Sequence, residues 1–288
     1  MITIDPKEVP VPALQAYIVH SIAPRPVAFV STIDKSGNVN LSPFSFFNAF
    51  STSPPVLVFS PARSGRTNST KHTHDNVVEV PEVVINVVTY EMVHQMSLSS
   101  TEYPKGVNEF IKSGFTMQKS ERVKPPRVKE SPVQMECKVR EVIELGNNAG
   151  AGNLVVCEVL LIHISESVLN EKKFIDQNKL DLVGRLGASW YVRASGHALF
   201  EVAKPLASRG IGVDALPEKI RNSKVLTGNN LGQLGNVEKL PAKEDVLAYK
   251  DQHLKTISSE KEIHAIAKKL LDEGRVEDGW KTLLSLEN

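Results

Sequence analysis

Two long apolar stretches joined by a short Gly/Asn-rich turn limit this chain to a β-rich fold. Residues 135–145 alternate, with Met135, Cys137, Val139, Ile143 and Leu145 on one face and Glu136, Lys138, Arg140 and Glu144 on the other. That periodicity marks a half-buried antiparallel strand. Residues 154–164 read LVVCEVLLIHI and are apolar on both faces. So long and apolar a strand predicts burial on both sides, in a barrel wall or at a subunit interface. Residues 146–153 carry the composition of a hairpin turn. Pairing Leu145 with Leu154 sets Cys137 opposite Ile162. Cys157 is then five residues away along the strand, roughly 16 Å and beyond disulfide reach. These are the only two cysteines, and reduced thiols in a cytoplasmic protein are expected.

Further strands are predicted at residues 27–33, ended by the turn Asp34-Lys-Ser-Gly37, at 56–60 behind Pro54-Pro55, and at 83–89. Short helices are predicted at 70–80 and 91–99, with a loop-rich stretch over 100–131. The texture changes after Lys204-Pro205. Residues 209–239 are rich in Gly and Asn and show no clear period. Val246, Tyr249, Lys250, His253, Leu254 and Ile257 then follow helical spacing. Ser259 and Glu262 read as a capping box. It opens a helix with Ile263, Ile266, Ala267, Leu270 and Leu271 on one face and Gly274 as its stop. Val276, Trp280, Leu283 and Leu284 mark a last helix. The predicted organisation is a domain over residues 1–205 and a helical extension over 206–288, docked on the β domain or on a partner subunit. With 288 residues and a net charge of +1, no broad cationic field points to nucleic acid or to an anionic membrane. Neither an apolar run of transmembrane length nor the residue order of a signal peptide is visible.

Residues 40–48 read NLSPFSFFN. A merely exposed turn would not hold Phe44, Phe46 and Phe47 together, and a core strand would not hold Asn40, Ser42, Ser45 and Asn48 among them. The mixture suits a flat ring that takes apolar contact on its face and hydrogen bonds at its edge, as an isoalloxazine does. The competing reading is a bulged strand. Arg63, Ser64, Arg66, Thr67, Asn68, Ser69, Thr70 and Lys71 follow within nine residues. Ser69 or Asn68 is the predicted N-cap of the next helix. Hydroxyls and cations at a helix start suit a phosphate, and an ordinary solvated loop is the competing reading. The eight histidines are scattered. His72 and His74 do not share a helix face, so they make a poor metal clamp and read as partly exposed helix residues. Gly150 and Gly152 belong to the hairpin turn and not to a dinucleotide loop. Residues 185–191, RLGASWY, suit a lid, an interface anchor or a packed domain edge. No general acid–base pair emerges, so no catalytic side chain is predicted.

Taken in order, these pieces resemble the flavin reductase-like family with the FMN-binding split barrel, a group that includes the flavoredoxins. The matching residues are PRPVAFVST (24–32), Gly37 with NLSP and Ser45-Phe46-Phe47, Pro54-Pro55, Lys71-x-Thr73-x-x-Asn76, VINVV (84–88), Gly106 with Glu109-Phe110, Ser131-Pro132 and Arg185-Leu-Gly187. The resemblance covers about residues 17–203. The chain has His72 where the family pattern usually has Asp, and Ala188 where a second Gly is common. The resemblance implies a mainly β fold: a six-stranded antiparallel split barrel with short helices, dimeric, with one FMN per protomer near the interface. Asn40, Leu41, Ser42, Pro43, Ser45, Phe46, Phe47 and Asn48 would line the isoalloxazine. Arg63, Ser64, Arg66, Thr67, Ser69, Lys71 and Thr73 would surround the phosphate. Arg185 and Trp190 would approach the flavin, that of the partner subunit included. The implied activity is NAD(P)H:flavin reductase, with hydride passing from nicotinamide to FMN N5 and electrons going on to free flavin, an oxygenase or another acceptor. The alternatives are an FMN-binding electron carrier without its own nicotinamide site, and a cofactor-free protein whose tail recruits a partner.

Overall fold

In the computed structural model, which describes residues 1–205, 209–255, 257 and 259–286, the two long stretches pair as one antiparallel hairpin. The strands in chain order are β1 (Ala28–Ile33), β2 (Val39–Phe44), β3 (Phe47–Thr52), β4 (Pro55–Phe59), β5 (Glu82–Val87), β6 (Met117–Gln118), β7 (Arg127–Val128), β8 (Val133–Glu144), β9 (Asn153–Ile164), β10 (Leu182–Arg185) and β11 (Tyr191–Ala194). Seven of them form one sheet in the order β2-β1-β5-β8-β9-β4-β3, and β6-β7 and β10-β11 are separate pairs. The two edge strands β2 and β3 are consecutive in the chain, with only Ser45 and Phe46 between them. The sheet therefore has to curl until its edges meet at that corner, while no ladder joins them. The result is a barrel open along one seam. Counted as a single bent strand, β2-β3 makes it six-stranded. The predicted polar loop at 40–48 is thus two strand ends and a two-residue corner.

The hairpin register differs from the predicted one. Ile143 pairs Leu154, Val139 pairs Cys157 and Cys137 pairs Val159, with irregularities at Glu136/Cys137 and Val139/Glu141. The turn keeps its predicted length but shifts by one residue, because Leu145 leaves β8 and Asn153 joins β9. The Asn153 N–H donates to Ser60 Oγ (3.1 Å) and its side-chain amide to Pro61 O (2.8 Å). Both thiols are free and buried in one cluster with Ala28, Val30, Leu57, Phe59, Val83 and Ile85. Burial pushes the Cys137 thiol up to about 12, and raises Cys157 too.

The two-sided burial predicted for 154–164 does not hold within the chain. The face carrying Val155 and Cys157 is buried, but Leu160, Ile162 and Ile164 point the other way and are 44, 51 and 41% exposed. The strands buried on both faces are β1 and β5. Ala28 and Val30 enter the cluster just described, while Val27 and Phe29 join Leu41, Met92, Met96, Phe110 and Phe115 on the other side.

Helix α1 (Val11–Ser21) has no counterpart among the sequence expectations, because it buries no side chain and so carries no apolar stripe. α2 is His72–Glu79, and α3 (Val93–Leu98) follows a short 3-10 turn at Tyr90–Met92. The predicted loop over 100–131 contains α4 (Glu109–Ser113) as well as β6 and β7. Asn108 caps α4 by accepting from Phe110 N–H, and Gly114 ends it at φ 72°. α5 is Gln177–Leu180.

The chain divides into two compact units, Met1–Phe200 and Glu201–Asn288. Residue 206, where the predicted boundary fell, lies outside the described residues. The second unit holds α6 (Glu218–Arg221), α7 (Gly228–Gly235), α8 (Lys243–His253), α9 (Glu260–Asp272) and α10 (Val276–Leu284). Its core gathers Leu216, Ile220, Leu234, Val246, Ala267, Leu271, Trp280 and Leu283. α6 and α7 fall in the stretch without visible period. A capping box at Thr227 and Asn230 starts α7 in spite of its three glycines. The predicted box at Ser259 is incomplete: Ser259 is the N-cap, but its side chain accepts no cap bond. Gly274 ends α9 at φ 78°, with Gly274 N–H bonded to Leu271 O and Arg275 N–H to Leu270 O, a Schellman closure. No helix is long and apolar enough to cross a membrane among the described residues.

Candidate functional site

The β2–β3 corner and the segment before α2 meet around a cavity of about 420 Å³, within the range of about 300–1,000 Å³ common for small-molecule sites. One wall is Asn40, Ser42, Pro43, Phe44, Ser45 and Phe46. Ser69, Thr70, Lys71 and His72 form the cationic end. Ser60, Ala62, Ser100, Thr101, Glu102, Tyr103 and Glu109 complete the lining.

Strand alternation selects the first wall. Asn40, Ser42 and Phe44 fall on one side of β2, and Leu41 on the other. Leu41 is fully buried in the core and reaches the site only through its N–H, which donates to Glu109 Oε2 at 3.0 Å. Phe47 packs against the barrel core and Asn48 is exposed, so neither lines the cavity. Phe44, beyond the predicted set, stacks at a tilt on Phe59 with centroids 5.4 Å apart.

The cationic end is built by a loop whose members mostly hold one another. Arg63 donates to Asn68 Oδ1 (2.9 Å) and Asn68 O (2.6 Å). Asn68 adopts a left-handed backbone at φ 56°. Buried Ser64 accepts from the N–H groups of Arg66 and Thr67. Thr67 and Ser69 share a hydroxyl bond, and Thr70 donates to Asp75 Oδ1 at 2.7 Å. Thr73 is buried and accepts from Asn40 Nδ2 at 2.9 Å, which ties α2 to β2. Arg63, Ser64, Arg66, Thr67 and Thr73 thus shape the site without lining it, and Ser69 and Lys71 line it. The N-cap is Lys71, not Ser69 or Asn68, and no side chain caps the helix. The first N–H groups of α2 are therefore left without side-chain partners at the edge of the cavity.

Two carboxylates border the cavity in different electrostatic settings. Glu102 lies 2.6 Å from Lys71 Nζ and 3.0 Å from Arg66 Nη2. The Lys71 hydrogen bond and charge hold its carboxyl below the usual range. Glu109 is buried, and burial raises its carboxyl above that range, with the Leu41 N–H pulling the other way. His74 is buried instead of partly exposed, with Nδ1 3.4 Å from Asp75 Oδ1. Among the described residues no group of three or more His, Cys, Asp or Glu is placed to hold a metal.

Arg185 and Trp190 sit at the β10–β11 tip and do not line the cavity. Arg185 lies over the Tyr191 ring at 4.6 Å and donates to Ala188 O, and Trp190 is 72% exposed. Ala188 has φ 49°, the left-handed region that favours glycine. The backbones of Arg185 and Arg25 exchange two hydrogen bonds. Arg25, which sequence reasoning missed, is buried. Its guanidinium donates to Val19 O (2.5 Å), Ile22 O (2.7 Å), Leu186 O (3.0 Å) and Ser45 Oγ (3.3 Å). It clamps α1 and the β10 end to the corner. The local signal is an arginine between two prolines at the start of an apolar strand.

A curled antiparallel sheet whose corner faces an uncapped helix start defines a split barrel with a small-molecule site. Residues 20–180 match the family model for the flavin reductase like domain, and the chain belongs to that family. A protein from Aquifex aeolicus (strain VF5) is 36% identical over 196 residues, 68% of this chain and 97% of that one. Nitrilotriacetate monooxygenase component B from Bacillus cereus superposes with a TM-score of 0.65 at 29% identity, over 70% of this chain and 98% of its own. The 2-nitrobenzoate 2-nitroreductase of Pseudomonas fluorescens gives a TM-score of 0.62 at 25% identity, over 73% of this chain and all of its own.

Proposed function

We propose that this chain binds FMN and acts as a flavin reductase-type oxidoreductase, taking hydride from NADH or NADPH and passing electrons to free flavin, an oxygenase or another acceptor protein. The observation that carries this reading is one cavity with two chemically different ends. Pro43, Phe44 and Phe46 offer apolar contact to a ring. Ser42, Ser45 and the free oxygen of the Asn40 amide offer edge hydrogen bonds. Lys71, Ser69 and the uncapped start of α2 would hold the phosphate. Lys71 is paired with Glu102 and would turn its ammonium to the phosphate, whereas the Thr70 hydroxyl proton is committed to Asp75.

When bound, FMN supplies hydride acceptance and electron transfer. The chain supplies orientation. Arg25 fixes Ser45, the Asn40–Thr73 bond fixes β2 against α2, and residues 100–103 and Glu109 complete the walls. Family membership supports the reading, and the likeness to a monooxygenase component favours an oxygenase as acceptor. The exposed apolar face of Leu160, Ile162 and Ile164 supports a homodimer. A reducing cytoplasm agrees with two free thiols.

The test is to load the purified protein with FMN and add NADH or NADPH without oxygen while following visible absorption. Retained flavin colour that bleaches promptly with one nucleotide is expected. Colour that persists with both would make the protein an electron carrier. A protein that takes up no FMN would end the flavin reading altogether.

A further inference from the structure

Lys71 is the only lysine or arginine lining the cavity among the described residues, and it is already engaged. Its Nζ lies 2.6 Å from Glu102 Oε1, while Glu102 Oε2 lies 3.0 Å from Arg66 Nη2. One carboxylate therefore joins both cations, with an oxygen on each, at the end of the cavity where a phosphate would sit. Glu102 belongs to the connection between α3 and α4, which supplies Ser100, Thr101 and Tyr103 to the opposite wall. The other acid of the lining, Glu109, is buried and occupied by the Leu41 N–H, so it is not free to play this part.

We infer that Glu102 is a specificity-determining residue of the site, an internal competitor that occupies the phosphate position and has to be displaced before a phosphate monoester binds. The inference rests on the FMN reading above. The ion pairs are solvent-exposed, with side chains 37–83% accessible, and such pairs contribute little individually. A phosphate dianion brings about two charges and three acceptor oxygens to the same ammonium, so it can displace the carboxylate. It does so against the lost pairs and against repulsion from a carboxylate that stays nearby. A flavin without phosphate meets neither cost. Glu102 thus lowers the affinity for FMN relative to riboflavin and keeps FMN exchangeable.

The experiment measures dissociation constants for FMN and for riboflavin in the native protein and in Glu102→Gln, by quenching of flavin fluorescence. Gln keeps the size of the side chain and removes its charge. Glu102→Gln is expected to tighten FMN by roughly tenfold, the scale of two exposed ion pairs, and to leave riboflavin within about twofold. Unchanged or weaker FMN binding would overturn the inference and make Glu102 a support for Lys71. Equal tightening of both flavins would overturn it too, since the effect would then concern entry of the ring and not the phosphate. If neither protein binds either flavin, the FMN reading itself fails, a result distinct from the other two.

Discussion

At the scale of single residues, the site divides into side chains that touch the cavity and side chains that hold those in place. Ser69 and Lys71 are in the first group. Replacing both by Ala is expected to weaken FMN binding by about 2 kcal/mol or more, since hydrogen bonds to charged groups contribute about 1.5–3 kcal/mol each. Calorimetric titration checks this, and an unchanged affinity would place the phosphate elsewhere. Ser42, Ser45, Phe46 and Lys71 were legible in the sequence because their chemistry clusters along the chain. Leu41, Thr73 and Arg63 carry equally suggestive side chains but turn them to the core, to Asn40 and to Asn68. Which way a side chain turns depends on strand alternation and on neighbours from elsewhere in the fold. Glu102 arrives from the connection between α3 and α4, far along the chain, and nothing local marks it, while Glu109 at the start of α4 was legible only as part of a motif and not as a cavity residue.

At the scale of elements, β1, β4, β5, β8 and β9 followed from apolar patterning to within about two residues, while β2, β3, β6, β7, β10 and β11, short or polar, did not. Ladder register did not follow either, because it is set at the turn, where Ile143 and not Leu145 pairs Leu154, and is altered again by irregularities at Glu136/Cys137 and Val139/Glu141 that no side-chain pattern announces. Helix α1 was invisible because its residues carry no apolar stripe, and α7 because three glycines in eight residues mask the short period of Leu231 and Leu234. Asn86, fully buried at the centre of the sheet, shows how one polar side chain joins three strands. It sits on β5, donates to Phe29 O on β1 at 2.9 Å, and accepts from Val128 N–H on β7 at 3.0 Å. Asn86→Leu would leave that N–H and that carbonyl short of a partner, at about 1–3 kcal/mol for each unsatisfied group. Urea unfolding should show a loss of about 2–4 kcal/mol. A loss under about 1 kcal/mol would mean that water replaces the amide.

At the scale of the whole molecule, each unit carries one of the two tryptophans. Trp190 is 72% exposed in the first, while Trp280 is fully buried in the second and donates to Leu234 O at 3.1 Å. A red shift of emission on heating therefore reports the helical unit. That unit also buries His264, whose Nδ1 lies 2.7 Å from Ser223 Oγ. Burial lowers the proton affinity of His264, with Glu260 opposing in part. The unfolded imidazole titrates near 6.5. Because the folded value lies below that, the contribution is fully present above about pH 6.5 and is lost as pH falls toward the folded value. Acidifying from about pH 7.5 to about pH 5.5 should lower the midpoint of the tryptophan transition, and His264→Gln should reduce that dependence. An equal dependence in the variant would remove His264 as the cause. The split barrel was legible from the order of many weak motifs, while the internal order of the helical unit was legible only from Lys243 onward, where its apolar period begins.

The corner at Ser45 and Phe46 also fixes the length of the chain. It is the one covalent link between the two edges of an open sheet. A residue inserted there turns the side chains of β3 to the opposite face or breaks its ladder with β4, and the cavity wall changes with it. A residue inserted among the exposed residues 171–173 lengthens a surface turn and leaves the sheet alone. Flavin uptake should be lost in the first variant and kept in the second. Insertions and deletions are thus silent over much of the surface and decisive at one dipeptide.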